Sequence, residues 1–323
     1  MNRYVLLLLQ LLALLCGCSA SDDGSAVISN SDSRIGFFVE NASITRSAGD
    51  ATEFPTDREF RVYAWDHTDA GSWLMERGTS GDDNSNVVSF VNNRNSWYPN
   101  YTYYWPSDFT SVDFYAIYPS DVTFNTTNRK IDFTTSAVSG SDDLLYCKCS
   151  TSLINANHYA SGVYAAEIVF KHALSRIGFT KDESNGVTLT LNSITFQHIK
   201  DKGTFDFDSN TPFWTTDDTS FSDAYSITSL SNSLLLMPQT LSNGAQLIIE
   251  YKIQASNGNW LRGGPDGDPN EWYTQTIALS GEWLIGRNYT YTLTASQDIM
   301  LSCTIQDWDE ADSGNSGGTD FEI

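Results

Sequence analysis

Two thiols at the start of the chain are the first residues whose type and spacing suggest chemistry. Cys16 and Cys18 close an apolar run, Val5 to Leu15, broken only by Gln10 and preceded by the positive charge of Arg3. The run is too short to span a bilayer and has the length of a signal-peptide core. It ends Leu15-Cys16-Gly17-Cys18, the pattern of a bacterial lipobox, so residues 1–17 are expected to be a lipoprotein signal peptide and Cys18 the lipidated residue. A plain secretory signal with a chance cysteine is the alternative. The second reactive place is Arg46-Ser47. It joins the stretch Arg34–Arg46 to Ser47-Ala48-Gly49-Asp50-Ala51-Thr52, whose small polar residues read as an exposed, cuttable loop.

The remaining candidates carry less. Cys147, Cys149 and Cys303 are an odd number, so at most one disulfide forms and one thiol stays free. Cys147 and Cys149, two apart on a strand, point the same way. No second pair of Cys or His lies at ligand spacing, so they read as small apolar residues rather than as half of a zinc site. Asp266-Gly267-Asp268-Pro269-Asn270-Glu271 offers oxygens to Ca²⁺ but reads as a solvated acidic turn. Asp82/Asp83, Asp142/Asp143 and Asp217/Asp218 read as loops, because adjacent strand residues face opposite ways and make poor acid/base dyads. Gly314-Asn315-Ser316-Gly317-Gly318 fits a hydrolase pattern without its strand-to-helix turn. His67, His158, His172 and His198 are scattered, and His172 is expected to cap or pack. No metal, cofactor or catalytic constellation is expected.

The elements that must position these residues are strands. Ile35, Phe37 and Val39 share one face of a period-2 pattern, a half-buried strand attached to the cuttable loop: a removable part. From Glu59 onward short alternating runs recur, among them Phe60–Trp65, Tyr101–Trp105, Val112–Tyr118, Gly186–Ile199, Leu247–Tyr251, Tyr289–Leu293 and Ile299–Ile305. Many short strands with turn signals between them indicate β-sandwiches, and the length suits two. The expected division is a flexible tether at 18–33, an N-terminal domain at 34–162 with 34–46 as its removable strand, a C-terminal domain at 163–309, and a flexible acidic Gly/Ser tail at 310–323. The 9 Trp, 16 Tyr and 17 Phe among 323 residues suffice for a large core. The net charge of −22 repels phosphate backbones and argues against nucleic acid as a partner. Trp97, Tyr98, Tyr101, Tyr103, Tyr104 and Trp105 could instead form a platform for sugar rings, the basis of a rival reading as a surface glycan-binding lipoprotein that never polymerises.

Several short motifs, in order along nearly the whole mature chain, carry a family resemblance. They are the lipobox at Cys18, Thr45-Arg46, Asp113-Phe114-Tyr115-Ala116-Ile117-Tyr118-Pro119, Asp143-Leu144-Leu145-Tyr146 and Phe170-Lys171-His172-Ala173-Leu174-Ser175-Arg176, followed by Leu235-Leu236-Met237-Pro238-Gln239, Gly286–Thr292 and Ile305-Gln306-Asp307-Trp308. With them the chain resembles the fimbrillins, the two-domain pilins of Bacteroidetes, near the Mfa-like lipoproteins. The resemblance implies two transthyretin-like or immunoglobulin-like β-sandwich domains in tandem. It implies export as a lipoprotein to the outer membrane, cleavage by an Arg-specific surface protease at the position matching Arg46-Ser47, and strand donation between subunits after the first strand is lost. Expected partners are other fimbrial subunits and, for adhesion, a host or bacterial ligand. Ile299–Ile305 and Phe321-Glu322-Ile323 are the candidate donor segments.

Overall fold

The computed structural model describes residues 33–40, 54–68, 71–76, 83–92, 96–135, 143–159, 163–209, 211–241, 244–268, 271–308 and 319–322. The fold is all-β, and no helix occurs among these residues. The strands of the first part are β1 (Ile35–Glu40), β2 (Phe60–Asp66), β3 (Ser72–Met75), β4 (Val87–Val91), β5 (Ser96–Pro99), β6 (Val112–Tyr118), β7 (Phe124–Asn125), β8 (Lys130–Thr134), β9 (Leu145–Thr151), β10 (Asn157–Tyr159), β11 (Val163–Val169) and β12 (Lys171–His172). Ten of them form one sheet in the order β10-β11-β1-β5-β4-β2-β6-β9-β12, with β3 on β2. Its apolar face gathers Ile35, Phe37, Phe60, Val62, Val88, Trp97, Phe114, Ala166 and Ile168 into one core.

The chain then crosses to a second set: β13 (Ser175–Asp182), β14 (Val187–Gln197), β15 (Ile199–Lys200), β16 (Lys202–Asp206), β17 (Phe213–Thr216), β18 (Phe221–Ser222), β19 (Tyr225–Ile227), β20 (Leu234–Leu236), β21 (Gln239–Thr240), β22 (Gln246–Ala255), β23 (Trp260–Arg262), β24 (Tyr273–Ala278), β25 (Glu282–Trp283), β26 (Arg287–Ala295), β27 (Ile299–Asp307) and β28 (Thr319–Glu322). One sheet runs β20-β13-β26-β27-β28 and another β19-β14-β22-β23, with β24 on β22. The two share a second core that includes Ile177, Phe179, Phe196, Leu247, Ile249, Tyr251, Tyr291 and Leu293. A smaller sheet, β17-β16-β8-β7, hydrogen-bonds Lys130–Thr134 of the first part to Lys202–Asp206 of the second. Around it lies a third core, drawn from both parts: Tyr63, Tyr115, Phe124, Ile131, Leu174, Phe205, Phe207 and Trp308.

Three expectations change. The boundary at residue 162 does not part the sheets, because Val163–Val169 pairs in parallel with β1 along its whole length. Ala166, Ile168 and Phe170 enter the same core as Phe37. The crossover is therefore Phe170–Ser175, and alternation alone does not say which sheet a strand joins. Tyr101–Trp105, expected as a strand, is an irregular segment between β5 and β6 that bridges the chain at Arg34 through Tyr104. The end of the expected flexible tail is a strand: Thr319–Ile305 through Glu322–Ser302 pair antiparallel, extending the sheet beyond β27. Residues 310–318 lie outside the described residues.

Candidate functional site

β1 lies inside its sheet, not at an edge. On one side β11 runs parallel to it from Ile35–Tyr164 to Glu40–Val169, and on the other β5 meets it where Phe37 faces Trp97. Ahead of it, Ile35 N–H donates to Tyr103 O at 2.9 Å and Trp105 N–H to Ser33 O at 2.8 Å, so the irregular segment holds the start of the strand. Trp105 Nε1–H reaches Tyr164 O at 3.1 Å, tying that segment to β11 as well.

The expected inward residues behave as their spacing requires. Phe37 is fully buried and Ile35 is 2% exposed, while Val39 is partly buried against the same core. The Phe37 ring packs edge-on against Phe114 at 5.6 Å and Phe60 at 6.4 Å. Phe38, of opposite parity, is exposed. Burying Ile35 and Phe37 stabilises by about 1.5–3 kcal/mol each. Loss of β1 would uncover the inner edges of β11 and β5 and empty the Phe37 pocket.

The chain beyond β1 is anchored again at Phe54. That ring stacks on Phe170 at 5.2 Å and packs edge-on against Trp97 at 5.2 Å, Tyr118 at 5.5 Å and Phe60 at 5.5 Å. Residues 41–53 therefore connect two fixed points, one on the strand and one in the core. Arg46 and Ser47 fall in that connection and, like Cys18, lie outside the described residues.

The aromatic run 97–105 divides. Trp97 and Trp105 are 5% and 4% exposed and belong to the first core, whereas Tyr101 and Tyr104 are 62% and 50% exposed. Burial raises the Tyr103 hydroxyl pKa against a hydrogen bond from Ser85, with Asp83 adding to the rise. The acidic turn at 266–271 is organised by a cation from the chain itself. Lys252 Nζ donates to Asp266 Oδ1 at 2.6 Å and Glu271 Oε1 at 2.8 Å, and sits 4.4 Å from the Trp272 ring. Desolvation works against the Lys252 charge, but the two carboxylates outweigh it and hold its pKa above the ordinary lysine range. Cys147 and Cys149 share the first core's side of β9, with Cys147 buried. Burial raises the Cys303 thiol to about 12.

At the crossover, His172 Nδ1 pairs with Asp143 Oδ2, both deeply buried, and its ring stacks on Trp308 with centroids 3.6 Å apart. Burial raises the Asp143 carboxyl pKa although His172 opposes the shift. The other Asp143 oxygen has no hydrogen-bond partner among the described residues. His172 thus packs, as expected, and its acidic partner comes from one of the pairs read as a solvated loop.

One signal in the sequence is informative only beside the fold. Ser33-Arg34-Ile35-Gly36-Phe37 recurs unchanged as Ser175-Arg176-Ile177-Gly178-Phe179. Both copies open a strand with a parallel neighbour: β1 with β11, and β13 with β26. Ile177 and Phe179 are buried in the second core as Ile35 and Phe37 are in the first. The second copy leads through 183–186 directly into β14, whereas the first leads into 41–53.

Solved structures of similar fold include a candidate cell adhesion protein from Bacteroides ovatus, with TM-score 0.51 and 14% identity, covering 85% of this chain and 97% of that one. A candidate cell adhesion protein from Bacteroides uniformis has TM-score 0.49 and 14% identity over 85% of this chain and 99% of its own. A fimbrial protein from Bacteroides vulgatus has TM-score 0.48 and 15% identity over 85% and 99%. No curated protein matches the chain. The family described as fimbrillin-like matches residues 45–308, from just before the Arg46-Ser47 bond to the Trp308 ring that stacks on His172. The chain belongs to the fimbrillin-like family.

Proposed function

We propose that this chain is a non-enzymatic fimbrial or fimbria-associated subunit whose first strand is a removable placeholder. It is exported as a lipoprotein through Cys18, reaches the outer surface of the outer membrane, and is cut by an Arg-specific protease at Arg46-Ser47. Another subunit then supplies a strand to the seat of β1. The observation that carries the reading is the placement of β1 inside its sheet, between β11 and β5, while covalently joined onward only through 41–53. Cutting there frees the strand and leaves Phe54 held in the core. An incoming strand regains main-chain hydrogen bonds from both neighbours, and its alternate side chains fill the Ile35 and Phe37 pockets.

Of the two donor candidates, Ile299–Ile305 is committed to its own sheet, paired from Ile299–Ala295 to Asp307–Arg287. Phe321-Glu322-Ile323 is the better donor: it ends a Gly/Ser-rich stretch, and its strand β28 pairs with β27 alone at the end of that sheet, a pairing it would leave to be donated. The two parts of the chain are read as tandem sandwich domains of the transthyretin-like or immunoglobulin-like kind, meeting at Phe170–Ser175. Partners are other fimbrial subunits and an adhesion ligand on host or bacterial surfaces. The exposed rings of Tyr101 and Tyr104 favour a second reading, a glycan-binding surface lipoprotein that stays monomeric.

The test is N-terminal sequencing of surface-exposed protein together with heat-sensitive high-mass ladders on gels. A start at Ser47 with ladders, both abolished in Arg46→Ala, is the expected result. A monomer that retains lipidated Cys18 and residues 34–46, and binds a polysaccharide column through Tyr101, would overturn the first reading in favour of the second.

A further inference from the structure

The two copies of the repeated pentapeptide continue differently. After Phe37 come Phe38, Val39 and Glu40; after Phe179 come Thr180, Lys181 and Asp182. Their surroundings differ too. β1 has neighbours on both sides, but β20 covers β13 only over Ser175–Ile177. In the facing sheet, β19 covers β14 only over Ile194–Phe196. No described strand lies along that side of Val187–Leu191, while β22 pairs with its other side.

This stretch reads Val187-Thr188-Leu189-Thr190-Leu191: alternating, uncharged, without proline. Such an edge is a template for pairing with further strands. The adjoining cleft, about 360 Å³, is lined by Leu189, Leu191, Ile194, Ile227 and Leu230 together with Lys181 and several hydroxyl side chains. The alternation reads the same in either direction, so its best complement within this chain is an antiparallel copy of itself, with a two-fold axis at Leu189.

The chain occupies that position from within. Leu189 N–H donates to Glu183 Oε1 at 2.6 Å, Leu189 C=O accepts from Lys181 Nζ at 3.4 Å, and Lys181 and Glu183 form an ion pair at 3.0 Å. Both main-chain groups at the centre of the edge are taken by two charged side chains, Lys181 from the end of β13 and Glu183 from its connection to β14. We propose that the Lys181–Glu183 pair is a built-in guard that keeps the β14 edge from pairing with the same edge on a second copy of this chain. The contact to Leu189 N–H, then that to Lys181, lowers the Glu183 carboxyl pKa, in keeping with a charged acceptor at the edge. The first copy needs no such guard, and Val39 stands where Lys181 does.

Removal of β1 plays no part in this guard, which is tested on the uncut chain without residues 1–17 and with residues 33–46 intact. Sedimentation velocity over a concentration series compares the parent chain, Lys181→Ala/Glu183→Ala, and that double variant with Thr190→Lys added. The expected result is a monomeric parent, a double variant that dimerises at least about 10-fold more tightly, and a return to monomer when a lysine is placed on the edge. Glu183→Ala alone should exchange its Leu189 amide at least about 10-fold faster at dilution, a readout that needs no dimer. A double variant as monomeric as the parent, a dimer that survives Thr190→Lys, or an unchanged Leu189 amide in Glu183→Ala would each overturn the proposal.

Discussion

Phe37 illustrates how much one side chain decides. It is fully buried between Phe60 and Phe114, so truncating it would leave a cavity among them. Phe37→Ala is expected to destabilise the uncut protein by about 3–5 kcal/mol in urea unfolding, whereas Phe38→Ala, on the exposed face, should change it by less than about 0.5 kcal/mol. Asp143 makes a different prediction. Its folded pKa lies above its unfolded value, so the native state holds the proton more tightly. Its contribution to stability is therefore present below about pH 4, the ordinary carboxylate value, and is lost as pH rises through the raised folded pKa. In Asp143→Asn that slope should vanish from pH-dependent melting, with the His172 contact kept by the amide. The inward set Ile35, Phe37 and Val39 was legible because a strand writes its buried face into every second position. The Asp143–His172 pair was not, because those residues meet only when β12 folds onto β9.

For single elements, most strands were written in the sequence and their partners were not. β11 alternates as clearly as β13, yet one closes the first sheet and the other opens a later one. The choice depends on which core receives Ala166 and Ile168, a property of the whole arrangement. Tyr101–Trp105 carries the composition of a strand, but its main chain is spent on holding Ser33 and Ile35. The turn at 263–271 also depends on a distant residue. Lys252 supplies its counter-charge, and Gly263 at φ +69° has Glu271 O only 2.5 Å from where a Cβ would stand. Lys252→Met should leave Asp266 and Glu271 without their shared cation. Limited proteolysis should then cut within 263–271 several-fold faster, and a chelator should leave the parent chain's resistance unchanged.

Across the whole molecule, the third core and the β8–β16 ladder join the two parts. Leu174 is buried there, and Trp214 Nε1–H donates to Ala173 O at 2.6 Å across the crossover. Leu174→Ala is expected to cost about 2–5 kcal/mol and to lower the unfolding midpoint seen by probes in either part equally. Two separated transitions in the parent protein would contradict that coupling. The sequence suggested two domains, but the main-chain ladder that joins the first part of the chain to the second lay hidden, since Lys130–Thr134 and Lys202–Asp206 look like ordinary hairpin strands.

The β8–β16 ladder also bears on mechanics. The polypeptide passes once through Phe170–Ser175, so without another link a force pulling the two parts sideways would fall on that single covalent strap. The five paired positions from Lys202–Thr134 to Asp206–Lys130 give the joint a second, non-covalent brace set beside the strap. A sideways force would then bend the chain less at this joint, and the brace would have to shear before the strap could straighten.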